Sequence, residues 1–269
     1  MHAGEGCPIC GSSADRDFAA AIGLELRRCA SCHHEFVRID QLDVEEVEQL
    51  YQGDYAGFWR DARFRRHVEA TLERSFVPRI PPPARLLDVG CGSGEFLEAA
   101  AARGYAAVGI DISHTGVAAC RARGLDAHVA HIDEHRPDAP FDFVTLWDVV
   151  EHLTDPVAVL ETAAGLLHDG GWIVIKTPCV PRRGFRLVRH LPSLERGLLH
   201  LPGHIQFFTP ESMHAALETA GLRSIEISVI GAMRGRRPTR SLKRRLGQLR
   251  TRAAARLGGS RNILAFAQR

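Results

Sequence analysis

The sequence lacks any hydrophobic run approaching the roughly 20 residues that a membrane-spanning helix requires. Its opening residues, MHAGEGCPIC, lack the basic-then-apolar order of a secretory signal, so a cytoplasmic location is the expectation. Acidic residues are missing altogether from 231–269, where twelve Lys and Arg stand. The remaining residues carry 22 basic and 32 acidic groups, so a basic tail follows an acidic body. That asymmetry points to a local anionic partner and away from general nucleic-acid binding. The seven cysteines are odd in number, which argues against a framework of disulfides in a cytoplasmic chain.

Four of those cysteines fall in two C-x2-C pairs, Cys7 and Cys10 in CPIC and Cys29 and Cys32 in CASC. Eighteen residues separate the pairs, the spacing of a four-cysteine zinc ribbon. Each pair places two thiolates on one tight turn, and two such turns complete a tetrahedron. A segment of 38 residues buries too little surface to fold alone, so bound Zn2+ would supply the missing stability. Four sulfurs leave no open coordination position, which makes the expected role structural. His33 and His34 adjoin Cys32 and could substitute as ligands, though the fourth thiolate makes that unnecessary. Cys91, Cys120 and Cys179 stand apart and read as small core or turn residues.

Residues 39–83 read as a helical linker or lid, rich in aromatics that include Tyr55, and the PRIPPP stretch ends it. From residue 84 the chain alternates strand and helix. RLLDVG, AAVGIDI, DAHVAHID, FDFVTLWDV, GWIVIKTP, SIEISVI and NILAFAQ are the expected strands. Ser113, Asp155-Pro156 and Thr209-Pro210 mark helix starts, and the helix after Pro156 is expected to run to Gly170-Gly171. The pattern predicts an α/β fold with a Rossmann-like, doubly wound and largely parallel sheet, preceded by the ribbon. Ligands of such sheets lie beyond the carboxyl ends of the strands.

The stretch LLDVGCGSGEF breaks from strand into a turn with Gly90, Gly92 and Gly94 at alternate positions and Asp88 just ahead. A dinucleotide fingerprint needs G-x-G-x-x-G and a helix N-terminus aimed at a pyrophosphate. Here the third glycine comes one residue early, and an anion at Asp88 disfavours phosphate. A ligand with a positive amino group and no phosphate fits better. Asp111, ending the next strand, can accept both hydroxyls of a ribose, and Asp133 can accept an adenine amino hydrogen. Amino group, ribose and adenine together describe S-adenosyl-L-methionine (SAM).

With D88-V-G-C-G-S-G94, Asp111, Asp133, W147-D-V-V-E-H152 and G203-H-I-Q-F-F-T-P-E-S212 in place, residues 84–269 resemble a class I SAM-dependent methyltransferase. The last two motifs are similar to those of ubiquinone-biosynthesis O-methyltransferases and of bacterial sugar and natural-product methyltransferases. Some members of those groups carry an N-terminal four-cysteine zinc segment. The resemblance implies that Cys91, Ile112, Trp147 and Tyr55 join Asp88, the glycines, Asp111 and Asp133 around the cofactor.

Methyl transfer needs alignment, and a base where the nucleophile is protonated. Glu151 and His152 end the fourth strand, where the methyl group is expected; His152 reads as the base and Glu151 as its orienting partner or a substrate ligand. The resemblance also admits the pair as Mg2+ ligands. It further implies that His204 lies in a stretch covering the acceptor, where it touches substrate or assists in proton removal, or else holds the loop. The insertion 179–203 mixes arginines with apolar residues, which suits an acceptor lid. Residues 234–258 read as a basic amphipathic helix, docked on the domain or lying on an anionic membrane surface. The reading is therefore O-methylation of a small molecule, sugar or glycolipid. The alternatives are an rRNA or tRNA methyltransferase, disfavoured by the absence of an N-P-P-Y-type motif, and a non-catalytic SAM-fold scaffold. The sequence leaves open the acceptor, its nucleophilic atom and the oligomeric state.

Overall fold

Short apolar strands alternating with capped helices set the architecture. The computed structural model describes residues 6–13, 15–21, 24–38, 62–179, 203–231 and 261–269. Tyr55, most of the linker helices, nearly all of the 179–203 insertion and the basic 234–258 segment lie outside the described residues.

The large sheet runs in the order β10-β11-β8-β7-β4-β5-β6. Its strands are β4 (Arg85–Val89), β5 (Ala106–Asp111), β6 (Ala127–Val129), β7 (Phe141–Trp147), β8 (Leu167–Cys179), β10 (Arg223–Gly231) and β11 (Arg261–Gln268). Strands β6, β5, β4, β7 and β8 pair in parallel, and β11 is antiparallel to both of its neighbours. Chain order reverses between β4 and β7, so the crevice above their carboxyl ends is the switch point at which such sheets bind ligands.

Five α-helices are described: α1 (Ala62–Thr71), α2 (Glu95–Ala101), α3 (His114–Arg121), α4 (Pro156–Gly165) and α5 (Pro210–Thr219), with a single 3-10 turn at Val150–His152 and a π-helical turn at Leu72–Phe76. The expected starts form as read. Ser113 accepts from the Gly116 amide, Asp155 from the Ala158 amide, and Thr209 and Ser212 close a capping box. Two apolar clusters flank the sheet. One gathers Leu72, Phe76, Phe96, Leu97, Val117 and Phe143; the other gathers Leu160, Phe208, Met213 and Leu217 with Val144 and Leu146.

Two boundaries differ from the sequence reading. Strand β6 stops at Val129, because as an edge strand it has only β5 to pair with, and Asp133 falls in an exposed turn beyond it. Helix α4 stops at Gly165, because the Leu166 carbonyl already accepts from the Phe141 amide and Leu167 pairs with Phe141 as β8 begins.

The N-terminal segment forms a second sheet from β1 (Asp15–Ala21), β2 (Leu24–Cys29), β3 (Glu35–Val37) and β9 (Gln206–Phe207), in that order. The last strand comes from the methyltransferase-like part of the chain. Cys7, Ile9, Cys29 and Phe36 share an apolar cluster with Phe208, Met213 and Leu217, so the four-cysteine ribbon is packed into the body and is not a tethered appendage. Among the described residues, no helix is long and apolar enough to cross a membrane.

Candidate active site

The glycine turn leaves β4 with all three glycines at positive φ: Gly90 at 72°, Gly92 at 54° and Gly94 at 85°. Two of these positions are informative beyond the turn itself. A Cβ on Gly90 would stand 2.5 Å from Val149 Cγ2, so a side chain there would separate the turn from the segment after β7. A Cβ on Gly92 would meet no protein atom within 4 Å, which leaves its face open to a ligand. Behind the turn, Gly116 allows α3 to approach so closely that a Cβ there would lie 2.8 Å from the Gly92 carbonyl oxygen. The sequence reading missed Gly116; its signal is a glycine in the first turn of a helix that must pack on backbone.

Asp88 is buried at 2% exposure and its Oδ1 accepts from the Thr145 hydroxyl at 2.7 Å. Burial pushes its carboxyl up to about 7, and the charge of Asp111 adds to the rise. Such a group gains from a cation placed beside it. Asp111 is tied to the turn by two backbone donors at 2.7 Å, the amides of Gly92 and Ser113. Each carboxylate oxygen keeps further acceptor capacity for a ligand hydroxyl. Glu95, in the first turn of α2, is buried and accepts from Ser93 Oγ at 2.8 Å. Its other oxygen lies 3.5 Å from Arg123 Nη1, and a carboxylate in this first turn disfavours a pyrophosphate beside it. Cys91 is buried, its sulfur 2.8 Å from where a Cβ on Gly109 would stand.

Trp147 ends β7 and packs between Phe96, with ring centroids 4.7 Å apart, and Phe76 at 5.9 Å. Phe76 is fully buried and also meets Phe143 and Phe266, a hub that sequence periodicity did not reveal. The buried Trp147 Nε1 has no hydrogen-bond partner among the described residues. Asp148 follows at φ 52° and pairs with Lys176, which is 5% exposed.

Glu151, His152 and His204 come together, with one ligand-type atom of each lying within 4.8 Å of the others. The rings of His152 and His204 meet edge to face at 4.8 Å. His152 Nδ1 donates to the Gly203 carbonyl at 2.7 Å, which makes Nε2 the basic nitrogen. Glu151 is fully buried and its Oε2 accepts from the Thr177 hydroxyl at 2.7 Å, whereas Oε1 has no partner among the described residues. Burial, and then the charge of Asp148, raise the Glu151 carboxyl to about 8. The protonated form, a donor as well as an acceptor, is thereby favoured.

At the ribbon, Cys7 and Cys32 sulfurs are 3.5 Å apart and those of Cys10 and Cys29 3.6 Å. Disulfides would need about 2.05 Å, whereas the edge of a tetrahedron with Zn–S arms of about 2.3 Å is about 3.8 Å. The amides of Ser31 and Cys32 point at Cys29 Sγ, at 3.3 and 3.5 Å. His34 is turned away from the sulfurs: its ring nitrogens lie 2.8 Å from Gln206 Oε1 and 3.2 Å from Ser212 Oγ.

A reversed strand in a seven-stranded sheet, a glycine turn between two acids and a Glu-His pair at the switch point define a class I methyltransferase of the SAM-dependent type. Residues 58–227 match the family described as a methyltransferase domain, and the chain belongs to that family. The ubiquinone biosynthesis O-methyltransferase of Bordetella bronchiseptica is 29% identical over 217 residues, covering 72% of this chain and 87% of its own. That of Xanthomonas campestris pv. campestris is 32% identical over 163 residues, covering 55% and 66%. The fold is also that of a solved SAM-dependent methyltransferase from Archaeoglobus fulgidus. That structure has a TM-score of 0.55 and 23% identity, with 85% of this chain and 100% of that one covered.

Proposed function

We propose that the protein methylates a hydroxyl oxygen of a small-molecule acceptor, a sugar or glycolipid among them, with His152 as the general base. The observation that carries this reading is the meeting of Glu151, His152 and His204 at the ends of β7 and β8, beside the strand that delivers the glycine turn. The names of the curated relatives, O-methyltransferases of ubiquinone biosynthesis, support oxygen as the acceptor atom. SAM, when bound, supplies an electrophilic methyl on a sulfonium. Asp88 would hold its ammonium, Asp111 and Asp133 its ribose and adenine, and Trp147 would lie beside it.

His152 Nε2 accepts the acceptor's hydroxyl proton while the Gly203 carbonyl, bonded at Nδ1, stabilises the imidazolium that forms. Neutral Glu151 and His204 line the acceptor side, Glu151 as a hydrogen-bonding group and not a second base. The four cysteines hold a structural Zn2+, consistent with sulfur separations of 3.5 and 3.6 Å. The arginines of the 179–203 insertion and the basic 234–258 segment attract an anionic or lipid-linked acceptor at a membrane surface.

Transfer of labelled methyl from SAM to fractions of cell extract tests the base. His152→Ala should lose about 100-fold or more of the transfer rate that the unsubstituted protein gives. Calorimetry should show SAM affinity unchanged. Full transfer by this variant would remove His152 from the chemistry.

A further inference from the structure

The segment 203–209 is held along two sides. On its inner side, the Ile205 amide donates to the Glu151 carbonyl at 2.9 Å, His152 Nδ1 donates to the Gly203 carbonyl, and Gln206 Nε2 donates to the Leu153 carbonyl at 2.9 Å. On its outer side stands the ribbon. Phe36 and Glu35 of β3 pair with Gln206 and Phe207 of β9, and the Val37 amide donates to the Ile205 carbonyl at 2.9 Å. The carbonyl that fixes the His152 ring thus belongs to a strand end clamped between the catalytic turn and the ribbon.

One side chain spans the clamp. Gln206 is buried at 1% exposure; its nitrogen is committed to Leu153, so its oxygen must accept. The donor is His34 Nε2–H, which leaves Nδ1 to accept from the Ser212 hydroxyl. Ser212 Oγ in turn accepts from the Thr209 amide at the start of α5. His34 itself is fully buried, with its ring 4.8 Å from that of Phe208. A continuous buried polar chain therefore runs from the ribbon to the residue after His152, and a ring two residues beyond a cysteine of the ribbon is its keystone.

We propose that His34 is a positioning residue for methyl transfer: through Gln206 it holds the 203–206 segment so that the Gly203 carbonyl fixes the His152 ring. The inference rests on His152 being the base. It gives the ribbon a catalytic consequence in addition to a stabilising one. The two arms of His34 separate by chemistry. The arm to Gln206 leads to His152, whereas the arm to Ser212 only completes the cap of α5.

The test uses full-length protein labelled with 15N-histidine, in which long-range 1H–15N spectra report the tautomer of each ring. Unsubstituted protein should show His152 in its Nδ1–H form, assigned by loss of that signal in His152→Ala. In His34→Gln the amide nitrogen replaces Nε2 and restores the bond to Gln206, whereas in His34→Asn the amide serves the Ser212 arm alone. The Gln variant should keep the His152 signature and turnover within about twofold of the unsubstituted protein. The Asn variant should show mixed tautomers and turnover lower by about tenfold or more, since small misplacements of a catalytic group cost this much. SAM affinity, measured by calorimetry, should be the same in all. Gln206→Met leaves every ribbon residue in place and should behave like the Asn variant, so it decides the matter if His34→Asn fails to fold. Wild-type tautomer and turnover in Gln206→Met, or equal losses in His34→Gln and His34→Asn, would overturn the proposal. Full turnover in His152→Ala would instead overturn the base assignment, whatever the tautomer data show about the His34 link.

Discussion

Asp88 is the group whose charge selects SAM in this reading, and its ionisation should be visible in binding. In the ligand-free protein, burial pushes its carboxyl up to about 7, the Thr145 hydroxyl opposing the rise and the Asp111 charge adding to it. An ammonium placed beside Asp88 favours the carboxylate, so the pKa in the complex lies below that of the free protein. SAM binding then expels a proton wherever the free protein still holds one, and affinity falls as pH drops through about 7. Between about pH 7.5 and about pH 5.5 the ionised fraction of such a group shrinks about 25-fold, or about 1.9 kcal/mol. An ammonium with a pKa near 8 changes little over this range, and any change cancels in a ratio of two variants. The assay is calorimetric titration of SAM into the unsubstituted protein and Asp88→Asn across that window. The variant keeps an acceptor for the Thr145 hydroxyl but cannot ionise. Its affinity should be the weaker at the upper pH, and the advantage of the unsubstituted protein should fade as pH falls. Buffers of different ionisation enthalpy should reveal proton release by the unsubstituted protein alone. A ratio that is constant with pH, or Asp88→Asn binding as tightly as the original at the upper pH, would refute the role given to this carboxylate.

Glu151, raised to about 8 by burial and then by Asp148, contributes stability that is fully present below about pH 4.5 and is lost progressively as pH rises from there to about 8. Glu151→Gln preserves an acceptor for Thr177 and cannot ionise; its melting temperature should match the original below about pH 4.5 and exceed it by a margin that grows up to about pH 8 and is then constant. A difference that ignores pH in thermal scans would count against this. Gly116→Ala forces a Cβ to 2.8 Å from the Gly92 carbonyl oxygen, whereas the same change at Gly165 meets no atom within 4 Å. The first should cost about 1–3 kcal/mol and weaken SAM binding, and the second should do neither. Equal denaturation midpoints and SAM affinities for the two would show that α3 yields easily. Elemental analysis should find a single Zn2+ per chain, falling well below that in Cys10→Ser, a position exposed enough that lost packing is not the cause. Undiminished metal in that variant would place the zinc elsewhere.

The parts of the site legible in the sequence are those whose physics is local. The turn after β4 announces itself because an acid, three glycines and a helix start are contiguous. Ser113, Asp155 and Thr209 are legible as caps because a cap bonds only two or three residues ahead. The cysteine tetrad is legible because each half is one tight turn. Strand β9 is different. It is two residues long, GHIQFF has no period, and its pairing partner β3 lies on the far side of the whole sheet in sequence. His34 invites reading as a spare metal ligand because of the cysteine beside it, yet its partner Gln206 stands 172 residues away. Glu151 looks like an anion poised to orient a histidine, and only its burial, with the Asp148 charge beside it, raises its carboxyl to about 8. Phe76, one aromatic among many in its segment, becomes a hub only when Trp147, Phe143 and Phe266 converge on it. In each case the missing information is the identity of a distant partner. A buried polar side chain is satisfied by whatever the fold brings to it, and a sequence records the donor without recording the acceptor. The proposed function follows from the same cause: the groups proposed to hold His152 are drawn from the ribbon, the turn after β7 and the 203–206 segment, so they can be altered one at a time.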